Sequence, residues 1–154
     1  VATATIGGLF HLEGESVNVL ADAAIVGPYT VTSGAIQLAV AAEVTHAGLA
    51  YTATLQSMQL NQLGTVSRIV RGFAKLLGAV GLKFGPSETN TRRQTLPNES
   101  AAIDGALPVF TGTAQLNWDG AHGREEYSTI VHDQPTACIV LGVAPEVSTT
   151  TERG

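Results

Sequence analysis

The chain has 154 residues, of which 44% are hydrophobic and 14% are charged, so it can bury a core and is not a disordered tail. No stretch approaches the roughly 20 apolar residues that span a bilayer, which excludes a predicted membrane helix. The formal net charge is −5, and the single cysteine, Cys138, excludes an internal disulfide. Cys138 lies in an apolar run, which predicts a buried thiol. Because the first residue is Val1, we expect a processed product or an excised piece of a longer chain.

Residues 6–63 are predicted to form a succession of short strands. Residues 15–20 alternate polar and apolar side chains, as a half-buried strand requires, and residues 49–60 form a second alternating segment. Asp22-Ala23, Gly27-Pro28 and Ser33-Gly34 are turn signals between the strands. Strands at this spacing predict a small β-barrel or sandwich.

The segment at residues 64–80 fits two interpretations. A helix would place Ile69, Phe73, Leu76, Leu77 and Val80 on one face, with Ser67 as its N-cap. A strand would direct Val70, Gly72, Ala74 and Leu76 inward and Arg71 and Lys75 outward. The local pattern slightly favours the helix.

The rest of the chain contains a polar excursion and further strands. Residues 85–107 are polar and predict a long surface loop. Residues 109–116 and 127–131 flank an Asp119-Gly120 turn signal, which predicts a hairpin. A last buried strand is predicted at residues 136–143, and a polar tail at residues 148–154.

Charge divides the chain into three segments. Residues 1–63 have a net charge of −4 with no Lys or Arg, residues 64–93 have +5, and the remainder has −6. The basic segment has three interpretations: a solvated face, a surface that contacts an acidic neighbour such as another subunit, or a direct nucleic-acid contact. Only Phe73 and Phe84 are interleaved with the basic residues, which gives little support to base stacking.

Few residues are spaced for chemistry. His11, Glu13 and Glu15 would share one face of an extended strand and offer a cation one nitrogen and two carboxylates, although Gly14 favours a turn there. His46, His122 and His132 have a Ser, Thr or acid nearby, and Asp119, Glu125 and Glu126 offer a carboxylate pair, but none belongs to a recognised catalytic motif. The sequence therefore predicts no enzyme, cofactor or metal site.

The run GLFHLEGESVNVLAD, at residues 8–22, resembles the opening of a β-rich module in tail proteins of tailed bacteriophages and prophages, including nozzle-type (tail tubular) proteins. Similar modules are grouped by shape with a β-barrel half-domain of ubiquitin-activating enzymes. Further similar segments follow in order and extend the resemblance over residues 6–147; they are VTSGAIQL (31–38), GLAYT (48–52), RIVR (68–71), GLKFG (81–85), LPVFTG (107–112), DQP (133–135) and VAPEV (143–147). Ala23 stands where the family has Gly, which is unfavourable for a tight turn with positive φ.

The resemblance implies an all-β fold in which a small β-barrel or sandwich module (6–63) precedes a second antiparallel β module (64–147) with a long loop at 86–106. It also implies a strand rather than a helix at residues 64–80. The implied function is a virion tail component whose copies form a ring, a hexamer by resemblance, beside other tail proteins. DNA would be passing cargo, with no stable membrane association. Under this interpretation the candidate subunit-interface residues are Arg68, Arg71, Lys75, Arg92 and Arg93, and the 86–106 loop is a contact arm.

Two other functions are open. A carbohydrate- or host-surface-binding module would need exposed aromatic side chains, for which Trp118, Tyr127 and Tyr29 are the candidates. A hydrolase would need a histidine and an acid or Ser within hydrogen-bond reach.

Overall fold

The computed structural model describes residues 1–60, 66–97, 108–118, 120, 123 and 126–150. Within them the chain forms twelve strands and one short 3-10 helix, with no α-helix. The strands pair antiparallel in four sheets, each of which has two edge strands, so no described sheet closes into a barrel. The prediction of an all-β fold is confirmed. No described helix has the length and apolar character to cross a membrane.

Five strands belong to the N-terminal part of the chain. They are β1 (Thr3–Ile6), β2 (Ser16–Ala21), β3 (Ala24–Thr30), β4 (Ile36–Ala42) and β5 (Thr45–Leu49), and they form the sheets β3-β2-β5 and β1-β4. The strand β2 buries Val17, Val19 and Ala21 and exposes or half-exposes the residues between them, as its alternating sequence predicts. A small apolar core forms around these side chains with Val31, Ile36 and Leu38.

Seven strands form the second part. They are β6 (Ala53–Gln56), β7 (Val66–Ala79), β8 (Leu82–Ser87), β9 (Asn90–Gln94), β10 (Phe110–Asn117), β11 (Thr129–His132) and β12 (Ile139–Thr150). They are arranged in the sheets β6-β11-β8-β9 and β10-β7-β12. Their core is larger and contains Ile69, Leu76, Phe84, Leu116 and Ile130.

The chain divides into two compact units, and the division differs from the predicted boundary after residue 63. The first unit contains Val1–Tyr51 and Asp133–Thr136, and the second begins at Thr52. The alternating segment at residues 49–60 is not one strand, because β5 ends at Leu49 and β6 begins at Ala53. The strand β6 pairs with β11, which places it in the second unit.

Residues 66–79 form a strand, so the helix favoured by the local pattern is wrong and the strand implied by the resemblance is observed. Gly72, Ala74 and Leu76 are buried and Arg71 and Lys75 are exposed, as the alternating pattern predicts. Val70 was expected inward but is 49% exposed. It has no partner in β12, because the register shifts between Arg71↔Glu146 and Ile69↔Val147. A β-bulge at Val70 therefore reverses the alternation.

The predicted loop at residues 86–106 is partly a hairpin. Ser87 ends β8 and pairs with Asn90, the first residue of β9. Gln94 is buried, and its side chain accepts a hydrogen bond from the N–H of Asn117 (2.7 Å) and donates one to the Asn117 carbonyl (3.2 Å). The strand β9 was missed because its pairing depends on backbone groups while its side chains are polar. Residues 98–106 lie outside the described residues.

Two predictions near the C-terminus also differ from the structure. The strand β10 pairs with β7 and β11 pairs with β6 and β8, so the hairpin predicted around residues 118–123 does not form between these strands. Ser148 and Thr149, expected in a polar tail, belong to β12 and pair with Arg68 and Ser67. The remaining tail, residues 151–154, lies outside the described residues.

Candidate functional site

Of the three residues considered for a cation site, Glu13 stabilises a backbone turn instead. Residues Phe10–Leu12 form a 3-10 helix, so His11, Glu13 and Glu15 do not lie along one extended strand. The carboxylate of Glu13 accepts hydrogen bonds from the backbone N–H groups of Ser33 (2.8 Å) and Gly34 (2.6 Å). Among the described residues, no three His, Cys, Asp or Glu side chains are grouped so that they could hold a metal ion.

The turn that Glu13 stabilises is also held by backbone hydrogen bonds and by packing against Phe10. Leu9 donates its N–H to the Gly34 carbonyl (2.9 Å), and Gly14 donates to the Val31 carbonyl (3.0 Å). Gly34 has a φ of +68°, and a Cβ at this position would collide with the ring of Phe10. The opening motif and the Ser33-Gly34 turn are therefore one interlocked structure.

Asp22 plays the same role at the next turn. Its carboxylate accepts hydrogen bonds from the N–H groups of Glu43 (3.1 Å) and Val44 (2.8 Å). Asp22 and Ala23 connect β2 to β3 with φ values of 48° and 65°. The tight positive-φ turn is present even though Ala occupies the position where Gly is favoured.

The candidate interface residues lie on two different sheets. We define the β7 outer face as the outward side chains of that strand, which are Arg68, Val70, Arg71, Phe73, Lys75 and Leu77. Arg92 and Arg93 lie on β9, at the edge of the other sheet of the second unit. The basic segment of the sequence thus contributes exposed basic side chains to two different sheets.

Arg71 already has partners within its own sheet. Its Nε lies 2.5 Å from Oε2 of Glu146, the residue opposite it on β12. Its guanidinium also lies over the ring of Phe73, with 5.5 Å between Cζ and the ring centroid. An exposed pair of this kind contributes at most about 1 kcal/mol, so a stronger acidic partner can displace it.

The candidate catalytic side chains are divided between the units. His11 and His46 are exposed in the first unit, whereas His132 is buried on β11 of the second. Glu126 is buried, while His122, Asp119 and Glu125 lie outside the described residues. Cys138 is half-buried, and burial raises the pKa of its thiol, which lowers its reactivity as a nucleophile.

The aromatic residues do not form one binding platform. Trp118 is buried and packs edge-on against Phe84, with 5.3 Å between ring centroids and an interplanar angle of 62°. Tyr29 and Tyr127 are half-buried and belong to different units. Tyr29 borders a shallow groove of the first unit that has no charged lining residue; the other lining residues are Thr5, Thr30, Thr32, Ala35, Ile36 and Gln37.

A second groove, missed from the sequence, opens in the second unit. It has a volume of about 310 Å³. Its lining residues are Leu55 of β6, Ser57 just after that strand, Ser128 just before β11, Ile130 of β11, and residues 140–143 of β12. Leu55 and Leu141 are 51% and 57% exposed. A strand pattern identifies which side chains alternate, but it does not show where two sheets leave their shared core uncovered.

In comparisons with known proteins, no family model matches the chain, and no curated protein matches its sequence.

Proposed function

We propose that this chain is a structural component of a phage virion tail, of the nozzle or tail-tube type. Its copies would assemble through their β modules into a ring that conducts DNA during ejection. The proposal is supported by the resemblance over residues 6–147. It is also supported by the structural roles of Glu13 and Asp22, whose carboxylates accept hydrogen bonds from the backbone of turns.

The observation that favours assembly most is the composition of the β7 outer face. Arg68, Arg71 and Lys75 are exposed beside Val70 and Leu77, which are 49% and 43% exposed. The three basic side chains outnumber Glu146, the acidic residue opposite Arg71, and exposed apolar side chains beside an excess of one charge are typical of a surface that binds an oppositely charged partner. We propose that this face docks on an acidic surface of a neighbouring copy.

The first unit provides such a surface. Its acidic side chains include Glu13, Glu15, Asp22 and Glu43, and residues 1–63 contain no Lys or Arg. A contact between the second unit of one copy and the first unit of the next uses two different surfaces. Contacts of this heterologous kind generate rings when the rotation between copies closes.

Charge reversal of the β7 outer face tests the proposal. We expect R68E/R71E/K75E to sediment as a monomer under conditions in which the unmodified chain assembles, because the contact becomes repulsive. The matched control is R68K/R71K/K75R, which keeps every charge and should assemble normally. Far-UV circular dichroism verifies that both variants fold. Ring assembly that persists in the folded reversal variant would contradict this docking surface.

The groove beside Tyr29 favours a second candidate function, the binding of a neutral carbohydrate. Its hydroxyl groups, the Gln37 amide and one aromatic ring match the chemistry of a sugar, and no charge opposes it. A glycan array with the purified chain tests this candidate. We expect binding that Thr32→Val and Gln37→Leu abolish; absence of binding to any neutral glycan would rule it out.

A further inference from the structure

The open groove of the second unit lies beside two edge strands. Among the described residues, β6 pairs only with β11, and β12 pairs only with β7. Each strand therefore has one row of backbone N–H and C=O groups that no described strand satisfies. An extended chain is the ligand that such an edge binds, through main-chain hydrogen bonds.

The two edges are only partly protected against pairing with another chain: β6 has four residues, whereas β12 has twelve. Proteins protect exposed edges with charged side chains, Pro or very short strands. Residues 44–67 contain no Asp, Glu, Lys or Arg. The strand β12 extends over Ile139–Thr150, and its charged residue, Glu146, is paired with Arg71 in the same sheet. Pro145 and a bulge at Leu141 interrupt β12, but residues 139–143 at its N-terminal end are uncharged.

The groove lies against the core, and its exposed apolar lining residues, Leu55 and Leu141, are ones that a further strand would cover. Ile130 belongs to the buried core cluster, and Val140 and Val143 pack against that cluster. Leu55 is the residue opposite Ile130 on β6, so it points to the same side of the sheet, yet it is half exposed. An apolar side chain that enters the groove would contact Leu55, Ile130 and Leu141 together.

Charge complementarity indicates which surface supplies that side chain. The described acidic residues of the first unit are not balanced by any Lys or Arg, whereas the second unit contains Arg68, Arg71, Lys75, Lys83, Arg92 and Arg93. The second unit also contains seven acidic residues against its eight basic ones, so by sequence its net charge is +1, whereas that of the first unit is −6. The first unit of another copy is therefore attracted to the basic side chains of the second unit, while two first units repel each other.

Within the first unit, β4 is the strand best suited to fill the groove. It is uncharged over Ile36–Ala42 and pairs only with β1 among the described strands. Its register with β1 jumps from Gln37 to Ala42, which leaves residues 38–41 without a partner residue. Val40, within this stretch, is 77% exposed.

We propose that β4 of a second copy adds to the free edge of β12 and places Val40 in the apolar groove. This inference rests on the proposed self-assembly and specifies the contact that produces it. Because β4 and β12 are in different units, each copy contributes β4 to one neighbour and binds the β4 of another neighbour at its own β12. The same contact can therefore repeat from copy to copy.

A lysine in the groove tests the accepting side. We expect Leu141→Lys to weaken self-association at least tenfold in sedimentation velocity, because the ammonium group would be buried on docking. The matched control is Val109→Lys, which also replaces an exposed apolar side chain by Lys, at a residue that is 62% exposed and does not line the groove. Equal assembly of the two folded variants would overturn the groove as the contact, while leaving the proposed ring assembly standing.

Site-specific crosslinking tests the choice of β4. In a Cys138→Ser background, one preparation carries Leu141→Cys and the other Val40→Cys, and the two are mixed and oxidised with copper phenanthroline. We expect a disulfide between the two different chains and little crosslinking within either preparation alone. A Leu141→Cys preparation that crosslinks only to itself, or a mixture that forms no crosslink, would overturn the proposal. If the unmodified chain also remains a monomer, the proposed assembly function fails with it.

Discussion

Individual carboxylates of the first unit stabilise turns by accepting backbone hydrogen bonds. Glu13 reaches the N–H groups of Ser33 and Gly34, about 20 residues away in sequence, and Asp22 reaches Glu43 and Val44 at a similar separation. Each side chain thereby connects a turn to a distant segment. Hydrogen bonds to a charged acceptor are stronger than those between neutral groups, so one side chain can fix a local conformation.

Replacement of Glu13 tests this role. We expect Glu13→Ala to lower the free energy of unfolding of the first unit by about 1–2 kcal/mol, because two N–H groups lose a charged acceptor. Denaturation followed by far-UV circular dichroism measures the loss. The control is Glu15→Ala, at an exposed carboxylate two residues away, with an expected change within about 0.5 kcal/mol. Equal losses from both variants would contradict the assigned role.

At Ala23, a substitution is expected to raise the stability of the first unit rather than lower it. Its φ of 65° is unfavourable for a residue with a Cβ, and Gly adopts it without that penalty. After the larger entropy of Gly in the unfolded chain is subtracted, we expect Ala23→Gly to stabilise the first unit by about 0.5–1 kcal/mol. Ala24→Gly, one residue later inside β3, should instead destabilise it. Thermal unfolding compares the two variants, and a lower melting temperature for Ala23→Gly would be inconsistent with the turn.

At the scale of strands, β7 and β12 show why the sequence predicts the elements better than their side-chain directions. The register shifts once at Leu141 of β12 and once at Val70 of β7, and the second shift restores the pairing that the first displaced. Alternation within β7 correctly predicts the burial of Gly72 and Ala74. It fails at Val70, since a bulge depends on the partner strand, which the sequence of β7 alone does not specify.

The sequence does not predict the hairpin of β8 and β9, and the reason is different. Its side chains are mostly polar, and its position depends on a close approach of two backbones at Gly85. A Cβ on Gly85 would collide with the Asn90 carbonyl and lie 2.8 Å from the Thr91 Cα. Neither contact can be inferred from one sequence, although Gly is a signal of such approaches in strands.

Substitution of Gly85 tests this hairpin. We expect Gly85→Ala to destabilise the second unit by about 2 kcal/mol or more, because one backbone must move away from the other. Trp118, the single tryptophan, packs against Phe84 in the second unit, so its fluorescence follows unfolding there. Gly142→Ala is the control, since nothing lies within 4 Å of a Cβ at that position. Similar fluorescence transitions for both variants would show that the close approach has no energetic consequence.

At the scale of the whole molecule, all Lys and Arg residues belong to the second unit, and the first unit has only acidic charges. The division of charge along the sequence predicted an assembly surface, and the structure places three of the five candidate residues on the β7 outer face. It separates Arg92 and Arg93 from them, and it adds the open groove and the free edge of β12. The sequence could not predict these features, because each depends on which strands become neighbours.

Segregated charge predicts that assembly depends on salt. The Debye length falls from about 10 Å at 0.1 M to about 3 Å at 1 M ionic strength, so attraction between exposed charges is screened. We expect the dissociation constant for self-association to rise at least tenfold over this range in sedimentation equilibrium. The apolar contact of Val40 with the groove should leave some association at high salt. Assembly that strengthens steadily with salt would show that apolar burial alone drives it.

Electron microscopy of the purified chain at low ionic strength tests the central claim most directly. If copies dock first unit to second unit around a closed axis, particles will appear as rings with one rotational symmetry, and their mass will be a fixed multiple of the 15.9 kDa chain. A folded chain that remains a monomer at every concentration would contradict the account.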